Sequence, residues 1–267
     1  MKKATAIIFS LCAMAFAATA DESNLLKNGD FSRGKTNWVT AGTVTEEGNA
    51  GVLTLNAKAN RANSRQTFEV DPEATYKISA KISADNKFSQ ILIGIIPVSK
   101  NNYDMFYRNS AGAVKNTFTE LAEDVVKGTN KIVLKDNPAW KAGWLAFNAK
   151  EDMSDLPNFQ LLAFKDFERK DGKIIITLPK PYNRAYAAGT KVRLHMDGAT
   201  YPYTSTIRKA TKEPQEFSGT IGKNAKVKFP AGTASFKVIV LLIPGKGAPN
   251  VTMQVRDMKI EKLPAAK

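Results

Sequence analysis

The sequence predicts an all-β chain, and three observations carry that prediction. Apolar and polar residues alternate with period two, most clearly over Tyr76–Ser83. Clusters of Gly, Pro, Asn and Asp, such as Asp71-Pro72-Glu73 and Pro244–Asn250, punctuate these stretches at short intervals. Apolar spacing of three and four residues, the mark of an amphipathic helix, is nearly absent.

Taken in order, residues 1–20 read as an export leader. Lys2-Lys3 form a positive start, Ala4–Ala17 hold an apolar run, and Ala18-Thr19-Ala20 is a cleavage signal. That run is shorter than the roughly 20 apolar residues a membrane-spanning helix needs, and nothing later approaches that length. The single cysteine, Cys12, lies inside it, without the small preceding residue a lipoprotein signal wants. The mature chain then has no thiol chemistry and no disulfide, and a core must hold it together.

Asn24–Trp38 follows. Leu25-Leu26 suggest a short strand, Asn28-Gly29-Asp30 a tight corner, and Phe31 and Trp38 re-enter an apolar site. The natural partner for such a head is the late stretch Val251–Leu263. Gly51–Asn56, Ser64–Val70 and Tyr76–Ser83 alternate as half-buried strands. In the last, Tyr76, Ile78, Ala80 and Ile82 face inward, and Lys77, Ser79, Lys81 and Ser83 face solvent. Gln90–Ile96 is a continuous apolar run, suited to a strand covered on both faces.

After Pro97 the character changes. Asn101–Asn116 mixes Tyr103, Phe106 and Tyr107 with polar residues, and a second set of short strands follows: Lys131–Lys135, Trp144–Phe147, Leu161–Phe167, Lys173–Leu178 and Lys191–His195. Phe217–Gly222, the strongly apolar Ala234–Ile243 and Val251–Glu261 close the chain, and the end from 264 to 267 reads as a loose tail.

The formal net charge is +14, two units of which leave with Lys2 and Lys3. Such a balance favours anionic partners: acidic glycans, envelope polymers or nucleic acid. The lysines are scattered and alternate with apolar residues, as on the solvated faces of strands, and no aromatic-basic motif for nucleic acid is present.

Chemistry needs placed groups. His195 is the only histidine; beside Tyr201 it reads either as a proton-transfer pair or as a strand-end residue packed where two units meet. One histidine excludes a three-histidine metal site, and no nucleophile elbow or phosphate-cradling motif occurs. The carboxylate clusters Glu46-Glu47, Glu120/Glu123/Asp124 and Glu151-Asp152/Asp155 lie in turn-like sequence, where solvated loop carboxylates are the default; the last also offers oxygen ligands for calcium. Sugar binding uses aromatic faces. Trp38 belongs to the core, and Trp140 and Trp144 suit the interior of the second strand set. Tyr103, Tyr107, Tyr201 and Tyr203 flank that set on both sides and are the candidate ligand-binding residues, with a packed hinge as the other reading.

The run N-L-L-K-N-G-D-F-S-R-G-K-T-N-W (24–38), followed by F-E-V-D-P-E-A-T-Y-K-I-S-A-K-I (68–82), resembles the opening of galactose-binding-like jelly rolls, a form common among secreted carbohydrate-binding modules. Residues 116–196, with W-K-A-G-W-L-A-F, D-L-P-N-F and A-Y-A-A-G-T-K-V-R, resemble small β-barrel inserts of extracellular modules. The resemblance implies a jelly-roll β-sandwich in two parts, 23–115 and 197–263, interrupted by a small β-barrel. It also implies either a structural calcium between Asp30 and Asp257 or an ion-free, hydrogen-bonded version of the same corner, since Ser32 stands where relatives often carry Glu. The function it implies is a secreted, non-catalytic carbohydrate-binding protein for extracellular glycans, anionic ones included. The destination is the periplasm, the cell surface or the medium. The alternative is a surface protein that binds another protein; a glycan-active hydrolase or lyase ranks behind both.

Overall fold

The computed structural model describes residues 23–85, 90–207, 210–245 and 250–264. The predicted leader with Cys12 and the last three residues of the tail lie outside them. The chain is nearly all β, as the alternation predicted. In order the strands are β1 (Trp38–Thr40), β2 (Thr43–Glu47), β3 (Ala50–Asn56), β4 (Arg61–Ser64), β5 (Phe68–Glu69), β6 (Thr75–Ala84) and β7 (Gln90–Ser99). Then come β8 (Thr119–Glu120), β9 (Lys131–Lys135), β10 (Gly143–Phe147), β11 (Leu161–Phe164), β12 (Phe167–Lys170), β13 (Lys173–Thr177) and β14 (Lys191–His195). The last are β15 (Tyr203–Ile207), β16 (Gln215–Gly222), β17 (Thr233–Ile243) and β18 (Thr252–Leu263). Among the described residues no helix is long and apolar enough to cross a membrane.

Two antiparallel sheets form a sandwich. One runs β1-β4-β17-β7-β15, with β5 also on β17; the other runs β16-β6-β18-β3-β2. Their facing sides share a core that includes Phe31, Trp38, Leu53, Ile78, Ile93, Phe236, Val240 and Ile260. The inward set of β6, Tyr76, Ile78, Ala80 and Ile82, lies in that core. The outward set departs from expectation: Ser79 and Ser83 are only 4% exposed. Around Ser79, long side chains of β6, β16 and β18 wall off a groove of about 440 Å³, lined by Lys77, Lys81, Glu216, Asp257, Lys259 and Glu261.

Head and tail meet in the same core. Leu25 N–H donates to the Ile260 carbonyl at 2.9 Å, and Met258 N–H donates to the Gly29 carbonyl at 2.9 Å. The Leu25-Leu26 strand does not form, however. The Leu26 and Lys27 amides are taken by side chains, Asn24 Oδ1 (3.0 Å) and Gln66 Oε1 (2.9 Å), instead of a ladder. Gln66 also donates to the Leu25 carbonyl, and the Ser64 hydroxyl to the Gln66 carbonyl. Those side-chain bonds interrupt the expected Ser64–Val70 strand, of which only Ser64, at the end of β4, and Phe68–Glu69, as β5, are in strands. The corner itself is organised by Asn28. Its amide reaches Gly34 O (3.0 Å), Thr36 O (2.6 Å) and Arg33 N–H (2.9 Å), while its carbonyl accepts from Trp38 Nε1 (3.0 Å). Asn tolerates the left-handed φ of 57° found there.

Strands β8–β14 form two further sheets, β11-β10-β14-β8 and β12-β13-β9. They are joined by a Leu121–Leu134 bridge and enclose a core of their own that includes Leu134, Trp140, Leu145, Phe147, Ile176 and Leu194. Trp140 lies inside, its Nε1 donating to the Thr117 carbonyl at 2.7 Å. Trp144 does not, contrary to expectation. It faces outward from β10 under the Arg108 guanidinium (4.4 Å), and its Nε1 donates to Asp197 Oδ2 at 2.9 Å. A neighbouring cation and an indole N–H partner make a half-exposed position acceptable to tryptophan.

Candidate glycan-contact site at the junction

The unit built on β8–β14 leaves the sandwich after β7 and returns to it before β15, so the chain crosses the junction twice. At the first crossing a tight turn forms. Asn102 takes a left-handed φ of 62°, Ser99 N–H donates to Tyr103 O (2.9 Å), and Tyr103 N–H donates to Ser99 Oγ (3.2 Å). The turn throws Tyr103 outward, 60% exposed. Asp104, next to it, pairs with Lys237 of β17 at 2.7 Å.

The 148–160 loop between β10 and β11 comes up against this turn. Left-handed residues at Asn148 and Met153 shape it, and it presents Phe159, 41% exposed. The Tyr103 and Phe159 rings stand 5.6 Å apart at a 58° tilt. Two large rings side by side in solvent form an unusual surface feature, unlike a lone exposed leucine. Phe159 is not among the sequence candidates; the signal available was an aromatic residue closing the turn-like stretch Asp155-Leu-Pro-Asn-Phe159.

The four tyrosines separate into different settings. Tyr201 is buried and stacked on Phe106 (5.7 Å, 25°), over Ile96 and Ile239 on the outer side of the sheet. Tyr203 is half-buried beside it, where the chain passes so close to β7 that only glycine fits at 94: a Cβ there would stand 2.2 Å from Pro202 O. Burial pushes both phenols above their ordinary value. Tyr107 is exposed and lies over Gly198. Tyr201 and Tyr203 thus pack the hinge, while Tyr103 and Tyr107 reach solvent.

Beneath the aromatic pair runs a buried polar chain. His195 is wholly buried; its Nδ1 lies 2.6 Å from the Arg108 carbonyl, which can only accept, so Nδ1 carries the proton. Nε2 accepts from Arg193 Nε and Nη2, both at 3.1 Å. The Arg193 side chain, 2% exposed, forks onto Asp155 at 2.8 and 3.1 Å and donates to the Lys150 carbonyl at 2.9 Å. Asp155 accepts further from Asn158 Nδ2 (3.0 Å) and Lys150 N–H (3.0 Å). Asn158 N–H donates to Asn109 O (2.8 Å), and Asn109 Nδ2 to Asn158 O (3.0 Å). Burial, then the Arg193 charge, hold the imidazole below 6.5, against the opposing pull of the Arg108 carbonyl and Asp155. Both ring nitrogens are engaged, and Tyr201 is not among their partners.

Three further cluster carboxylates, Glu47, Glu120 and Glu123, are engaged too. Glu47 pairs with Arg256 (2.7 Å) and Glu123 with Lys173 (3.0 Å). Glu120 bridges Lys135 and Lys191, whose hydrogen bonds hold it down to about 2.

The expected calcium pair was tested against its donor set. The backbones of Gly29 and Met258 touch, which brings Asp30 and Asp257 into one neighbourhood. Asp30 Oδ1, however, accepts from Ser32 N–H (3.2 Å) and Oγ (3.0 Å), and Asp257 Oδ2 faces the Lys81 ammonium at 2.8 Å. An ammonium at that range opposes a cation, so these residues do not fit calcium. Asn24 holds the bulge instead, accepting from Ile260 N–H (3.0 Å) and donating to Met258 O (3.3 Å). Among the described residues no group of three or more acidic or histidine side chains is placed to hold a metal.

No family model matches the chain, and no curated protein matches it in sequence. Among solved structures it is similar to the Emp47p carbohydrate recognition domain, at 14% identity over 91% of this chain and 99% of that one, with a TM-score of 0.34. It is also similar to the potassium-bound Emp46p carbohydrate recognition domain, at 13% identity over 89% and 94%, with a TM-score of 0.29.

Proposed function

We propose that this chain is an exported, non-catalytic glycan-binding protein, a galactose-binding-like jelly roll carrying a barrel insert, which meets sugar at the Tyr103–Phe159 pair. The observation that carries this reading is the exposure of those two rings at the seam between sandwich and insert. The apolar face of a pyranose covers such rings, and neighbouring polar groups such as the Asp104–Lys237 pair orient its hydroxyls. The non-catalytic reading is supported by the burial of His195 with both ring nitrogens hydrogen-bonded, and by the ion pairs that hold Glu47, Glu120, Glu123 and Asp155. Export is supported by the leader pattern of residues 1–20, and a preference for anionic glycans by the net charge of +14.

A glycan array with the mature protein tests the reading. A saturable hit is expected, weakened about tenfold or more by Tyr103→Ala and by Phe159→Ala, that is, by about 1.4 kcal/mol or more. Affinity for an anionic hit should fall as salt rises. An empty array with folded protein overturns the proposal.

A further inference from the structure

We infer that His195 is an acid-operated latch: when the imidazole takes up a proton, the junction opens and Tyr103 and Phe159 part. The release of glycan that follows rests on the proposed function; the latch itself does not.

The geometry places one imidazole between the two loops that carry the rings. On one side its Nδ1–H holds Arg108 O, four residues beyond Asp104 on the loop that begins with Tyr103. On the other its Nε2 lone pair receives two N–H groups of Arg193, which grips Asp155 in the loop that ends with Phe159. Asn158, the neighbour of Phe159, is tied to Asp155 and to Asn109 of the first loop. The two loops are therefore fastened to each other through the His195–Arg193–Asp155 chain and through the Asn109–Asn158 bonds that Asp155 helps to place.

A proton from solvent can attach only at Nε2, and it consumes the lone pair that accepts from Arg193. The new N–H would then point at the donors of a guanidinium 3.1 Å away, out of reach of water. The charged groups around the ring offer little relief. Arg193 on β14 is like-charged; Asp155 on the 148–160 loop is already committed to Arg193; Lys150 contributes only its backbone. The Arg108 guanidinium is turned away onto Trp144 and Asp197. The neutral imidazole belongs to the closed junction and the imidazolium to the open one. Below the ordinary histidine value of 6.5 the opening constant therefore rises about tenfold per pH unit, until the closed form itself takes the proton.

The chain has one histidine, so a single pair of imidazole nitrogen signals reports the latch by NMR. In the wild-type protein the Nδ1–H neutral tautomer should persist below 6.5. Exchange of the Asn158 amide, corrected for intrinsic rate, should speed up as pH falls from about 7 to about 5. His195→Gln keeps an acceptor for Arg193 without a titrating group, and its corrected exchange should be flat across that range. A glycan found on the array should lose affinity over the same range in the wild type and hold it in the variant. An imidazole that titrates at its ordinary value, or an Asn158 amide equally protected at both ends, overturns the latch. If no glycan binds at any pH, the functional reading falls and the imidazole and exchange data still decide the latch. If the variant does not fold, the wild-type titration and exchange decide it alone.

Discussion

At the scale of single residues, charge in this molecule is used where water is absent. Arg193 and Asp155 are almost sealed from solvent, with side chains 2% and 7% exposed, and each satisfies the other through a forked contact. Burial alone would raise the Asp155 carboxyl; the bonds from Arg193, Asn158 and Lys150 together more than reverse it, leaving it below 3.8. Its contribution is therefore present above that ordinary value and fades as pH falls through the lower folded one. Asp155→Asn leaves a guanidinium buried without a counter-charge and should cost about 3–5 kcal/mol in urea unfolding at neutral pH. A loss below about 1 kcal/mol would mean that water reaches the pair. Tyr103 and Tyr201 show the opposite contrast. Tyr103→Ala removes an exposed ring and one aromatic contact, so stability should change by no more than about 1.5 kcal/mol. Tyr201→Ala empties a buried stack and should cost about 3–5 kcal/mol, read in the same unfolding experiment.

At the scale of elements, the head of the chain is held by β18 through close backbone approach. A Cβ on Gly29 would stand 2.0 Å from Met258 O, so the two segments cannot keep their bonds once a side chain is present. Gly29→Ala should cost about 3 kcal/mol or more and expose the Leu25 amide to exchange. Asn24→Ala removes the amide that bridges Leu26, Met258 and Ile260, and should cost about 1–3 kcal/mol. If calcium rather than Asn24 held this bulge, a chelator would lower the melting temperature; none of that effect is expected. The outward side of β6 carries a related point. Alternation correctly sorts its residues into two faces, yet it cannot say that Lys77, Lys81 and Lys259 gather round Ser79. That depends on β16 and β18 lying alongside, and on Glu216, Glu261 and Asp257 drawing the lysines across.

At the scale of the molecule, the sandwich core and the core of the β8–β14 unit are linked by a seam that joins the buried His195–Arg193–Asp155 chain to the Phe106–Tyr201 stack. The ends of the β8–β14 unit are paired to each other, Val114 N–H to Leu194 O and Met196 N–H to Gly112 O, both at the place where the chain leaves and rejoins the sandwich. β7 and β15, on either side of the excursion, are neighbours in one sheet. A protein in which a short turn joins Gly112 to Asp197 should keep a cooperative thermal transition and a β-rich circular dichroism spectrum. If the proposed function holds, it should also lose glycan binding, because Phe159 goes with the excised unit. A non-cooperative, expanded product would show that the sandwich needs its guest to fold.

The sequence by itself determined the all-β class, the inward face of β6, the burial of Phe31, Trp38 and Trp140, and most strand positions, because a period of two and the chemistry of Gly, Pro and Asn are local. Lys131–Lys135 and Lys191–His195 were legible to the residue for that reason. Only the tertiary structure decided that Trp144 faces solvent, that Asp257 answers to Lys81, that Tyr201 is buried while Tyr103 is not, and that Phe159 lies beside it. Each depends on a partner remote in the chain, and side-chain period carries no information about such partners. The imidazole of His195 belongs to both groups. Its position at a strand end could be read locally, whereas its proton is fixed by Arg108, which only folding brings within 2.6 Å.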